Sequence, residues 1–258
     1  GTALTSFYQC GDLDRIDPYT GETRGKETWN GAFPSAWGVS AHPKVDERTG
    51  EMLFFNYGKK EPYLHYGVID ADNDLVHYVD VALPGPRLPH DMAFTRNFAI
   101  LNDFPLFWDP ELLRRDVHVA RFHRDMPSRF AVLPRRGGPK DAVWFEADPT
   151  YVLHFTNAYE DGDEIILDGF YQGDPAPADS GTGTQWQRAF RFLALDRMQA
   201  RLHRWRLNLV TGAVTEEPLS ENISEFGMIN AAHGGEPYRY IYAATGKPGW
   251  FLFDGLIR

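Results

Sequence analysis

The sequence predicts an all-β protein, and three observations carry that prediction. Short apolar runs recur along the chain and are separated by turn residues. Aromatic residues feed those runs generously, with 18 Phe, 12 Tyr and 7 Trp among 258 residues. Helical periodicity is scarce, Pro110–Arg115 being the one short candidate. Many short strands joined by polar turns fit a sandwich, a barrel or a propeller. No crisp repeat decides among the three.

Taken in order, Met52–Tyr57 reads as a strand after the turn at Asp46–Gly50. Leu64–Ile69 and Leu75–Val81 flank Asp70–Asp74 as a hairpin. Phe98–Leu101 is a short apolar strand. Val143–Ala147, Tyr151–Thr156 and Glu164–Tyr171 follow, the last two joined by the turn Glu160–Asp163. Ala189–Leu195, Ala200–Leu209 and Ala213–Glu217 come next, with Val210–Gly212 as a turn. Arg239–Ala243 and Gly249–Phe253 flank Thr245–Pro248. Asp103–Lys140, rich in Pro and Arg, and Gly173–Thr184 read as excursions from this pattern. Neither looks like a linker, so a single domain is expected over residues 1–258. Gly1 begins directly in a strand-like stretch, and Arg258 follows the apolar run Trp250–Ile257. Chain ends are usually polar and loosely ordered, so the expectation is a domain truncated at both ends.

Composition excludes several classes. Net charge is −10 and no Lys/Arg block tracks phosphates, so nucleic acid is not an expected partner. The single Cys10 rules out an intrachain disulfide and a cysteine-based zinc site. No apolar run reaches the ~18 residues needed to cross a bilayer. No basic region followed by an apolar run opens the sequence, and a cytoplasmic location is expected. Asp70–Asp74 starts like a calcium loop, but Leu75 stands at the glycine position and Val81 at the final glutamate. Phosphate-binding, dinucleotide-binding and Gly-x-Ser-x-Gly motifs are all missing.

Nine histidines remain as candidate chemistry. A lone strand histidine is most often a surface or a satisfied core residue. His42, His90 and His154 stand apart, each at or beside a strand end with turn-forming residues close by. A rigid scaffold can point imidazoles from such places into one cavity. His42 and His90 are 48 residues apart, and His90 and His154 are 64 apart. Propeller repeats run ~40–50 residues, so the second interval fits if Asp103–Lys140 holds an insertion. The other histidines read as bystanders: His65 and His77 face solvent or each other across a hairpin, His203 lies on a solvated strand and His233 in a turn. His118 and His123, five residues apart in an Arg-rich segment, match no usual metal spacing.

The segments around the three histidines carry a resemblance. Ser40-Ala-His-Pro-Lys44, Pro89-His-Asp-Met-Ala-Phe-Thr95 and His154-Phe-Thr-Asn-Ala-Tyr-Glu160 are similar, in order, to the first three histidine motifs of the carotenoid cleavage oxygenases, which include the lignostilbene dioxygenases. Glu225-Phe-Gly-Met-Ile-Asn230 resembles a further motif of that family, with Gly227 where proline is usual. The resemblance runs over nearly the whole chain. It implies part of a seven-bladed β-propeller, with Fe(2+) on its axis held by four histidines. His42, His90 and His154 would be three of these, and the fourth would lie beyond this chain. Neutral imidazoles suit Fe(2+) and leave positions open for dioxygen.

The family also uses glutamates that accept the outer N–H of the ligating imidazoles. Glu225 matches one, and Gln9 stands where another is expected. Tyr8 occupies a position that is often lysine in lignostilbene-type members, where it meets the substrate phenol. An apolar tunnel is implied, with Tyr151, Phe104 and Phe107 as lining residues; plain core packing is the competing reading for each. The implied activity is dioxygenase cleavage of a C=C bond in a carotenoid, apocarotenoid or stilbenoid, with dioxygen and an apolar conjugated small molecule as partners. Contact of the whole protein with a membrane is left open, as is oligomeric state. Two alternatives stand: a non-catalytic propeller that binds a partner, whose histidines would point apart, and an inactive fragment lacking the fourth ligand.

Overall fold

The computed structural model describes residues 3–5, 10–33, 38–173, 175, 184, 199–246 and 253–258. Its main body is a row of antiparallel meanders. The first complete one joins Lys44–Asp46, Glu51–Tyr57, Tyr63–Ile69 and Leu75–Ala82. The second joins Ala93–Phe94, Phe98–Asp103, Ser128–Pro134 and Val143–Ala147. The third begins with Phe155–Asp161, Glu164–Tyr171 and Arg201–Asn208. Preceding them, Ala3–Thr5, Asp14–Ile16 and Thr23–Lys26 form a small sheet, and Cys10–Gly11 pairs with Val39–Ser40.

The central strands read as continuous apolar runs because each meander is covered on both faces. Alternation then distributes side chains between two cores rather than between core and water. Leu53 and Phe55 enter one cluster with Leu64, Tyr66, Ala99, Leu101, Ala131 and Leu133. Phe54, between them in sequence, enters another with Trp29, Phe33, Val39 and Ile69. In the second meander, Ile100, Phe130 and Val132 point the opposite way from Leu101 and Ala131, into a cluster with Phe155, Ile165, Leu167, Trp205 and Leu207. Phe170 and Ala200 begin a further core with Ala243. Sheets and cores thus alternate like the blades of a propeller. The outermost strand of the first blade, Leu75–Ala82, is largely exposed or half-buried.

Val214–Met228 links one blade to the next. Its first half, from Val214 to Pro218, completes the third blade against Arg201–Asn208. From Ser224 it pairs instead with Tyr242–Gly246, which pairs with Phe253–Ile257. The sequence reading ended this strand at Glu217, at the turn-forming residues Pro218, Ser220 and Asn222. Those residues mark a bulge and not a stop: Ile223 pairs again with Arg201, and the partner changes at Ser224.

Other boundaries also shift. Tyr151–His154 is not strand: the third blade starts at Phe155, which leaves His154 just before it. Asp103–Lys140 is not one excursion, because Ser128–Pro134 is a central strand. The insertion is the shorter hairpin of Leu106–Trp108 with Ala120–Phe122. It carries the helix Pro110–Leu113, whose first turn is capped by the Asp109 carboxylate. That insertion lengthens the interval between His90 and His154. Arg239–Ala243 lies later, at Tyr242–Gly246. Ala189–Leu195, most of Gly173–Thr184 and most of Gly249–Phe253 lie outside the described residues.

Phe130 is fully buried between the second and third blades, with its ring against Phe104, Phe155 and Trp205. Truncation there leaves a cavity that neither sheet can close. Phe130→Ala is therefore expected to cost about 3–5 kcal/mol in denaturant unfolding. Val210→Ala, in an exposed turn, is expected to change stability by less than about 0.5 kcal/mol.

Candidate metal centre

The three histidines occupy the same place in three consecutive blades. His42 precedes the first strand Lys44–Asp46, His90 precedes Ala93–Phe94, and His154 precedes Phe155–Asp161. Pro43 and Pro89 adjoin the first two and restrict the backbone there without demanding a hydrogen bond. Because neighbouring blades pack face to face, equivalent points at one end of their first strands come together. The imidazole ring centres of His42 and His90 are 4.7 Å apart, those of His42 and His154 4.9 Å, and those of His90 and His154 5.1 Å.

The Nε2 atoms of His42 and His90 are 3.1 Å apart. One nitrogen of each ring lies within 4.8 Å of the others, and this is the one such metal-competent cluster among the described residues. Bonds of about 2.0–2.2 Å to one cation place neighbouring nitrogens roughly 3–3.5 Å apart. The His42–His90 pair already has that spacing.

The outer nitrogen of His154 is held. Its Nδ1–H donates to Glu225 Oε2 at 2.7 Å, and the backbone N–H of Phe226 donates to the same oxygen at 2.6 Å. This fixes the tautomer and turns Nε2 inward. Glu225 is buried, and its Oε1 has no hydrogen-bond partner. It stands on the fourth blade's first strand, where Val214–Met228 has changed sheets. Phe226 has φ +55° and lays its ring against His154, with centres 4.5 Å apart.

Burial sets the charge state of the cluster. It pushes His90 down to about 4, helped by the neighbouring His42 and His154. Burial also lowers His42, against the pull of Asp91. Both rings are therefore neutral at physiological pH and keep lone pairs for a metal. Burial pushes the Glu225 carboxyl up, opposed by the His154 and Phe226 N–H groups. The donor set fits a borderline cation such as Fe(2+): neutral imidazoles converge and one is oriented from behind by a carboxylate.

Gln9 and Tyr8 lie outside the described residues. Tyr151 and Phe104 are buried in the core between the second and third blades, ring centres 5.9 Å apart, and the Tyr151 hydroxyl donates to the Leu88 carbonyl at 2.9 Å. Phe107 stacks on His123, with the Arg87 guanidinium 4.0 Å from its ring centre. What these three rings touch is protein.

His65 and His77 do not face each other: His65 is buried and stacked on Tyr78, and the half-buried His77 is hydrogen-bonded to the Gly137 carbonyl. His203 is not solvated either, being half-buried and paired with Glu216. His118 sits near Trp108 and Asp116 on the inserted hairpin, and His233 ends a short 3-10 turn. Asp91, quoted above only as part of a motif, proves to be buried against all three histidine segments.

Comparison with known proteins accords with this geometry. Residues 1–258 match the family described as retinal pigment epithelial membrane protein. The chain is 32% identical over 208 residues to carotenoid 9,10(9',10')-cleavage dioxygenase 1 of Phaseolus vulgaris, covering 80% of this chain and 37% of that protein. It is 30% identical over 240 residues to isoeugenol monooxygenase of Pseudomonas putida, covering 90% and 48% respectively. It superposes on the lignostilbene dioxygenase of Pseudomonas brassicacearum with a TM-score of 0.81 and 26% identity, over 96% of this chain and 51% of that one. The chain thus spans about half or less of the length of these relatives.

Two outcomes are expected. In the metal-free protein, His90 titrates near 4 when folded and near 6.5 when unfolded. The unfolded chain therefore takes up this proton first as pH falls. The contribution is fully present above about 6.5 and is lost progressively toward about 4. Denaturant unfolding across that window is expected to show a shallower decline for His90→Gln than for the unchanged protein. At Gly227, an added Cβ would meet Thr156 Oγ1 at 2.4 Å and the Phe170 ring at 2.9 Å. Gly227→Ala is expected to cost about 1–3 kcal/mol by overpacking, measured the same way.

Proposed function

The chain belongs to the family of retinal pigment epithelial membrane protein and the carotenoid oxygenases, and from that premise we propose that the complete protein is an Fe(2+)-dependent dioxygenase. It splits one C=C bond of a carotenoid, apocarotenoid or stilbenoid. Both atoms of O2 enter the products, one in each new carbonyl, so the reaction balances without an external reductant.

The observation that supports this reading is the convergence of His42, His90 and His154 from equivalent places in three blades. These three would hold the ion. Fe(2+) bound by neutral imidazoles supplies a redox-active centre with coordination positions left open. The chain's own residues prepare that site. Burial keeps His42 and His90 unprotonated. Glu225 holds the outer proton of His154 at Nδ1. The Phe226 ring shields that imidazole on one side, and an apolar conjugated substrate has favourable surface to meet there.

Purified complete protein should be incubated under 18O2 with a carotenoid, an apocarotenal and a hydroxystilbene. The expected result is a pair of aldehydes or ketones, each carrying one labelled oxygen, and at least a 100-fold fall in turnover for His90→Ala. Label in only one product would show a monooxygenase. Absence of cleavage with all three substrates in iron-loaded protein would contradict the proposal.

A further inference from the structure

We propose that Asp91 is a positioning residue that sets the three imidazoles relative to one another, an inference that rests on the metal-centre reading above. Its side chain is 1% exposed. Oδ1 accepts from Lys44 Nζ at 2.7 Å and from the Met92 N–H at 2.7 Å. Oδ2 accepts from the Phe155 N–H at 2.9 Å. The Asp91 carbonyl accepts from Asn102 Nδ2 at 2.7 Å, and Asn102 is itself buried on the adjacent strand of the second blade.

The sequence neighbours of these groups give the contacts their meaning. Lys44 is two residues after His42 and begins the first blade. Asp91 directly follows His90. Phe155 directly follows His154 and begins the third blade. One buried carboxylate therefore grips a group adjoining each of the three histidines, in three different blades.

Charge-assisted bonds to a buried carboxylate are short and directional. A shift of the first or third blade against the second would strip a partner from a charge that cannot reach water, which is costly. Lys44 offsets part of the Asp91 charge felt by His42 and His90, and the carboxylate's hydrogen bonds set the geometry. Glu225 orients one ring about its own axis, whereas Asp91 fixes the spacing between rings.

Asparagine keeps the shape of aspartate but turns one acceptor into a donor, which must then face either the Lys44 ammonium or a backbone N–H. The test is Co(2+) titration of the complete protein, read by visible absorption, with metal-free Tm measured in parallel. Asp91→Asn is expected to weaken Co(2+) at least tenfold, the scale found for residues that support metal ligands, and to change the d–d band shape. Lys44→Met, which removes one of the three grips, is expected to weaken it severalfold.

Asp168→Asn is the control. That carboxylate is equally buried; it stands on the strand that pairs with Phe155–Asp161, but its hydrogen bonds go to Arg204 and Tyr238 and not to groups beside a histidine. It should lower Tm and leave cobalt affinity and spectrum unchanged. Unchanged affinity and band shape in both Asp91→Asn and Lys44→Met would overturn the proposal, as would an equal loss in Asp168→Asn. If Asp91→Asn does not fold, Lys44→Met decides alone. Failure of the unchanged protein to bind Co(2+) would instead refute the metal-centre reading itself.

Discussion

Each blade's central strands serve two hydrophobic cores at once, and that constraint governs everything else in this structure. Phe98–Asp103 and Ser128–Pro134 send alternate side chains to opposite faces, Ile100, Phe130 and Val132 to one core and Ala99, Leu101 and Ala131 to the other. A one-residue slip would exchange the two sets and mismatch both interfaces. Register, and hence the angle between blades, is locked by close packing. Half-buried carboxylates add cross-blade ties, as where Arg48 and Arg96 form ion pairs with Glu236 and where neutral Thr95 and Asn97 donate to Glu160. The fold is a stretch of a seven-bladed propeller. Its rigidity lets residues far apart in sequence hold a fixed geometry at one end of the first strands.

The chemistry of the site follows from that placement. Imidazoles gathered in a half-buried cluster cannot all be protonated, because burial and mutual repulsion favour the neutral form. Neutral rings are what a divalent cation needs. Orientation then comes from a separate layer of groups, each on a different blade: Glu225 behind His154 and Asp91 among the three segments. The strained backbone at Phe226, with its positive φ, accompanies Glu225. It lets the same residue donate its N–H to the carboxylate and place its ring on the imidazole.

Much of this was legible in the sequence. Hydrophobic runs such as Met52–Tyr57 and Glu164–Tyr171 located central strands to within a residue, because burial on both faces leaves an unbroken apolar signal. Short first strands such as Ala93–Phe94 were missed, since two residues carry no periodicity. Ser128–Pro134 was hidden by flanking Arg and Pro residues that belong to an inserted hairpin. The three histidines emerged from their ordered motifs and not from their spacing, which the insertion distorts. Asp91 was present in the quoted motif, but its partners Lys44 and Phe155 lie 47 and 64 residues away, and no local pattern encodes such a contact. Gly227, a departure from the family pattern, has a local cause in the close approach of Thr156 and Phe170.

The central claim is that His42, His90 and His154 bind one ion. X-ray absorption at the iron edge of the complete, Fe(2+)-loaded protein tests it most directly. The account predicts nitrogen scatterers at about 2.1 Å, with the outer-shell features of at least three imidazole rings, and loss of one ring's worth of that signal in His154→Ala. A spectrum dominated by carboxylate oxygen or sulfur, or one unchanged by that substitution, would contradict it.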